Sequence, residues 1–244
     1  MQTQPIIQCH QIVPAELAFD YTGNHLNLAL QPGQIISLIG PNYSGKTNWL
    51  RTMCGVEEAA RGHVSLLGMN TDFMDADDWA TARTRIGYIP FDFSLLSAAN
   101  SIQNVVLAAR YHQIGNQAEL ADRAGELLHQ LDPQLDVNEL PAYLRKDQQY
   151  KVAIARALML EPKALVLDSP FAFFDSLSRQ QLQDYLLDKV AQGLSIVQIS
   201  HDIPYVLAHS SQIIFTHQRF VHTFTSKQAI IDADTPEIRD YLNH

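Results

Sequence analysis

The chain has 244 residues, 46% of them hydrophobic, with 26 acidic against 17 basic side chains and a formal net charge of −9. That length buries a large core, while an acidic balance without basic runs excludes a nucleic-acid partner from the reading. Cys9 and Cys54 are too few for a disulfide framework or zinc spacing, no stretch approaches a membrane span, and Met1 to Pro5 lacks the marks of a signal peptide.

In chain order, Ile6 to Val13 and Leu26 to Leu30 read as short strands of an antiparallel edge, with a turn at Thr22-Gly23-Asn24. Phe19 or Tyr21 nearby offers a ring to a purine base, with Tyr21 the better placed; the alternative is that both pack on the sheet. Gln34 to Ile39 reads as a buried strand, and GPNYSGKT follows it from Gly40 to Thr47, matching G-x-x-x-x-G-K-[ST] without a mismatch. Gly40 and Gly45 let the backbone wrap a phosphate, with Asn42 and Ser44 in the loop between them. Lys46 adds a mobile ammonium, and Thr47 offers its hydroxyl to Mg²⁺. A helix from Lys46 to Met53 turns its N-terminus toward the anion, so ATP with Mg²⁺ is the expected cofactor pair.

Further strands are expected at Gly62 to Gly68 and Ile86 to Ile89, with a helix from Trp79 to Arg85 between them. Two helical patterns fill Ser101 to Leu131, one with an apolar face of Ile102, Val105, Val106 and Ala109, the next with Leu120, Ala124, Leu127, Leu128 and Leu131. The second half reads as a helix from Gln148 to Leu160, the strand Ala164 to Leu167 closing on Asp168, a helix from Ser178 to Val190, and the strand Leu194 to Ile199 closing on Ser200-His201-Asp202. Two terminal strands around Ile213 and Val221 and a helix from Pro236 to Leu242 complete it. Alternating strands and helices predict an α/β fold with a mostly parallel sheet, and an aspartate at a strand's carboxyl end is where a P-loop fold places its second Mg²⁺ ligand.

These motifs, with Lys151-Val-Ala-Ile-Ala-Arg-Ala-Leu158, Glu161 to Pro170 and Ser200-His-Asp202 in that order, resemble the nucleotide-binding subunit of ABC transporters across the chain. The closing stretches, Asp168 to Phe171, Ser200 to Leu207 and Asp234 to Leu242, look most like the ATPase of Mla or Mce-type phospholipid transporters. The resemblance implies a P-loop NTPase (RecA-like) core with an antiparallel β subdomain. It also implies one domain, in which residues 1–94 and 151–244 form the core and 95–150 a helical subdomain. Within it, Gly40, Asn42, Ser44, Gly45, Lys46, Thr47, Tyr21 and Asp168 would hold ATP, Thr47 and Asp168 would hold Mg²⁺, and His201 would be the catalytic switch histidine.

Three departures from the family pattern set the functional expectation. Phe91, in Ile86-Gly-Tyr-Ile-Pro-Phe91, stands where the family has the Q-loop glutamine, and Leu144-Arg-Lys-Asp-Gln148 replaces LSGGQ, so that Asp147 sets a negative charge toward a phosphate. Ser169 stands where the family has its catalytic glutamate, and a hydroxyl does not take up a proton as a carboxylate does. The expectation is a subunit on the cytoplasmic, inner face of the membrane, docked on an integral membrane permease. It would pair as a homodimer or with a second ABC ATPase, and bind ATP-Mg with weak or absent hydrolysis. Alternatives are an active ATPase in which Asp92, Asp175 or an Arg145 finger substitutes, and a soluble nucleotide-binding regulator without a permease.

Overall fold

The computed structural model describes residues 4–19, 22–217 and 220–242. Strands β1 (Ile7–Pro14), β2 (Leu26–Leu30) and β3 (Ile35–Ile39) lead to α1 (Lys46–Met53), β4 (Ala59–Leu66), β5 (Met69–Asn70), α2 (Ala76–Arg85) and β6 (Ile86–Ile89). Three helices follow, α3 (Ser101–Tyr111), α4 (Gln117–Leu131) and α5 (Lys146–Leu158). Then come β7 (Ala164–Leu167), α6 (Ser176–Ala191), β8 (Ser195–Ile199), α7 (Ile203–His209), β9 (Gln212–His217), β10 (Phe220–Phe224), α8 (Lys227–Ile231) and α9 (Pro236–Leu242).

Two sheets result. The smaller is antiparallel in the order β2-β1-β4-β5; the larger runs β10-β9-β3-β8-β7-β6 and is parallel except where β10 returns against β9. The first two strands are therefore half of a separate sheet completed by β4 and β5, rather than an edge on their own. The expected strand at Gly62 begins earlier, at Ala59, because β1 is long enough to pair with it as far as Pro14.

Side chains alternate across the large sheet, as a two-residue period requires. Ile35, Leu165, Leu167 and Ile196 face the core shared with α3, α4 and α5, while Ile36, Leu38, Val166 and Val197 face the core between the two sheets, where Trp49, Leu50 and Met53 of α1 are buried. Each of those α1 side chains contributes on the order of 1.5–3 kcal/mol by leaving water. The helices stop and start on polar caps: Asp75 and Asp78 form a capping box on α2, and Asn100 and Gln103 form one on α3. Helix α5 starts two residues ahead of the expected Gln148, because the Gln148 side chain accepts the Arg145 N–H at 3.2 Å and closes the first turn.

Candidate functional site

The candidate site lies outside the carboxyl ends of parallel strands, where open α/β sheets bind ligands. Strand β3 ends in Gly40, β6 in Pro90 and Phe91, β7 in Asp168 and Ser169, and β8 in Ser200 and His201. Around them is a cavity of about 780 Å³, lined by Asn42 to Asn48 together with Arg51, Phe91, Asp92, Asp168, Ser169 and His201. Sequence positions up to 159 residues apart thus meet because four neighbouring strands end at one level.

The phosphate loop owes its shape to two glycines. Gly40 has φ 140°, and a Cβ there would collide with the Thr216 carbonyl of β9; Gly45 has φ 83°, and a Cβ would lie 2.8 Å from Leu17. Gly45 caps α1 without any side-chain hydrogen bond. Inside the loop the Lys46 ammonium donates to Gly40 O at 2.9 Å and Pro41 O at 2.6 Å, and Ser44 Oγ lies 2.7 Å from Thr216 Oγ1. Burial pushes the Lys46 pKa down and Asp168 opposes the shift. Thr47 Oγ1 donates to Asp168 Oδ2 at 3.0 Å, and Ser169 Oγ donates to Oδ1 at 3.1 Å.

A Mg²⁺-nucleotide fits this donor set. Asp168 is 5% exposed and among the described residues its carboxylate accepts only from hydroxyls, so the Thr47 and Asp168 oxygens make the hard, all-oxygen corner that Mg²⁺ takes. Lys46, Gly45 and the uncapped start of α1 face an anion. His201 has its pKa lowered, by burial first and by the nearby Lys46 charge second, with Asp168 pulling the other way. The shift favours the neutral imidazole.

All but one of the residues expected from the sequence have a described place. Gly40 opens the loop, while Asn42, Ser44, Gly45, Lys46, Thr47, Asp168, Ser169 and His201 line one cavity. Tyr21 lies outside the described residues, and Phe19 is 90% exposed. Asp92 lines the cavity but Asp175 does not, since Asp175 Oδ1 accepts the Ser178 N–H at 2.8 Å and caps α6. The negative charge expected of Asp147 has a partner: its two oxygens accept from Arg145 Nε and Nη2 at 3.1 and 3.0 Å, the neighbour expected to act as a finger.

Tyr43 and Arg51 are among the wall residues that escaped the sequence reading. Tyr43, fully exposed at φ 62°, lies in the loop itself. Arg51 donates to Tyr88 Oη at 3.3 Å and Glu57 Oε1 at 3.0 Å; its spacing of four from Thr47 on one helix face was the available signal.

A family model described as ABC transporter matches residues 23–172. The sulfate/thiosulfate import ATP-binding protein CysA of Nephroselmis olivacea is 28% identical over 223 residues, which is 91% of this chain and 63% of that protein. The glutamate/aspartate import ATP-binding protein GltL of Escherichia coli (strain K12) is 26% identical over 214 residues, 87% of this chain and 88% of that one. Among solved structures, the ATP-binding cassette MJ0796, a dimer in a post-hydrolysis state bound to ADP and Pi, superposes with a TM-score of 0.79 at 25% identity over 90% of this chain and 98% of that one. The chain thus spans less than two thirds of the length of the CysA relative.

Proposed function

The chain belongs to the ABC transporter family, and from that premise we propose that it is a transporter's ATP-binding subunit, holding ATP-Mg in the cavity between β3, β6, β7 and β8 while hydrolysing it slowly or not at all. One observation carries the binding half: a buried ammonium, an uncapped helix start and an all-oxygen corner converge on one cavity. Lys46 and the loop amides hold the phosphates, Thr47 and Asp168 hold Mg²⁺, and His201 offers a neutral imidazole. Mg²⁺ in this setting supplies charge neutralisation on the phosphates.

Slow turnover is supported by Ser169, whose hydroxyl is engaged with Asp168 and has no basicity to lend to water. Among the described residues Asp92 is the one carboxylate beside Asp168 on the cavity wall, and an active enzyme using it is the second reading. No helix among the described residues is long and apolar enough to cross a membrane. As a transporter's ATP-binding subunit the chain would dock on a membrane permease at the inner face, in a dimer with itself or a second ATPase. The named relatives are import subunits; a phospholipid cargo rests on the likeness of Asp168 to Phe171, Ser200 to Leu207 and Asp234 to Leu242 to phospholipid-transport ATPases.

The test pairs binding with turnover on the purified chain. ATP-Mg at a hundredfold excess over its dissociation constant should stabilise the fold by about 2.7 kcal/mol, and Lys46→Ala should remove most of that. An equal stabilisation in the variant would sink the binding site. Turnover should lie about 10²-fold or more below that of a relative with a glutamate in the Ser169 position. Fast hydrolysis that vanishes in Asp92→Asn would establish the second reading.

A further inference from the structure

We propose that Arg156 is a positioning residue for the nucleotide pocket: its guanidinium holds the carbonyls of Phe93 and Ser94 and thereby fixes the wall made by Phe91 and Asp92. The inference rests on reading the cavity as a nucleotide site. The wall begins where β6 ends. Phe93 N–H donates to Pro90 O at 3.0 Å and Ser94 N–H to Asp92 O at 2.6 Å, so the chain reverses within a few residues. Phe93 has φ 37° and Ser94 φ 26°, two consecutive L residues in the left-handed region that glycine favours. Such backbone persists only when its surroundings over-determine it.

Part of the restraint is packing. The Phe93 ring is buried, meets Tyr150 edge-on at 5.6 Å and Phe173 at 5.7 Å between centroids, and carries the Lys146 ammonium 5.5 Å over its face. The rest is Arg156 on α5, whose Nη2 donates to Phe93 O and Nη1 to Ser94 O, each at 3.1 Å. These two carbonyls are its only hydrogen-bond partners among the described residues; it forms no ion pair there, and burial pushes its pKa down. A partly buried cation without a carboxylate is costly unless its hydrogen bonds compensate, and here both are spent on adjacent carbonyls of the strained turn. A planar fork spans neighbouring acceptors, as a lysine ammonium on a flexible stem does not. Since Phe91 and Asp92 line the cavity directly before the clamped residues, release of the clamp frees one side of the pocket.

Glycine separates this role from mere support of the helical layer. At position 94 it adopts the left-handed region without strain, so it should make the turn independent of Arg156. The experiment compares the parent chain with Arg156→Met, Arg156→Lys, Ser94→Gly and the Arg156→Met/Ser94→Gly pair, by amide hydrogen exchange over residues 90–96 without nucleotide and by calorimetric titration with ATP-Mg. Arg156→Met should speed exchange at Phe93 and Ser94 and weaken ATP-Mg binding about tenfold, with Arg156→Lys close to it. Ser94→Gly should behave as the parent, and the pair should regain most of the protection and affinity. Parent-like exchange and binding in Arg156→Met overturns the proposal, as does a pair no better than Arg156→Met alone. Should Arg156→Met not fold, recovery of folding in the pair supports the clamp and its failure overturns it. A parent that does not bind ATP-Mg overturns the nucleotide reading and the pocket half of this proposal, while exchange still decides whether Arg156 holds the turn.

Discussion

At the scale of single residues, the phosphate site depends on charges placed where water is scarce. His201 illustrates the sign of the resulting pH effect. Its pKa in the folded chain lies below the ordinary 6.5, so as pH falls the unfolded chain takes up the proton first and stability declines through the interval between the two values. An NMR titration should find His201 below 6.5, and Lys46→Ala should move it upward by removing a neighbouring positive charge. An unmoved value would deny the two groups their proximity. On the proposed reading, in which residues 144–148 stand where the family has its signature, Ser169→Glu should restore little turnover alone in a homodimer, because Arg145 and Asp147 are clasped to each other there; steady-state ATPase activity at saturating ATP-Mg checks this. A large rescue would show that the clasped Arg145 serves after all. Lys46 and Thr47 were legible in the sequence because their motif is contiguous. Tyr43 was not, since nothing local announces that a tyrosine will occupy a left-handed loop position with its ring in solvent.

Helices and strands fix how accurately those residues are aimed. Asp175→Ala should lower the stability of the fold through loss of the α6 cap, yet leave ATP-Mg affinity unchanged, because its carboxylate serves the Ser178 amide and not the cavity. Chemical denaturation beside a binding titration measures both, and a joint loss would put Asp175 in the site. Lys151 of α5 and Asp132 at the end of α4 form a buried pair at 3.1 Å. Removing one partner by Lys151→Met should cost about 3–5 kcal/mol, and adding Asp132→Leu should recover much of it. Helix α1 and strands β2 and β6 were readable to the residue, since apolar runs there end at glycine, proline or the phosphate loop. Helix α8, five residues long, was missed because it is too short for a 3.6-residue period to declare itself, and α7 was missed although, like α9, it runs to seven residues. Their caps, Asp202 on the Tyr205 amide and Ser226 on the Ala229 amide, were local signs, as was Pro204 in the first turn of α7.

For the whole molecule, the pairing of β1 with β4 across β2, β3 and α1 lay beyond sequence reading, because no hairpin turn joins the two strands to announce it. The resulting layers also make the protein optically lopsided. Both of its tryptophans, Trp49 within and Trp79 against the core between the two sheets, report on that layer, and the core beneath α3, α4 and α5 holds no indole. Tryptophan emission therefore follows the melting of one layer, whereas far-ultraviolet dichroism, dominated by helices, weighs the other. Coincident curves from the two signals are expected if the shared sheet makes both layers one cooperative unit. A dichroism loss preceding the emission change would reveal a helical layer that melts first, a partially folded state invisible to the chromophores nature supplied.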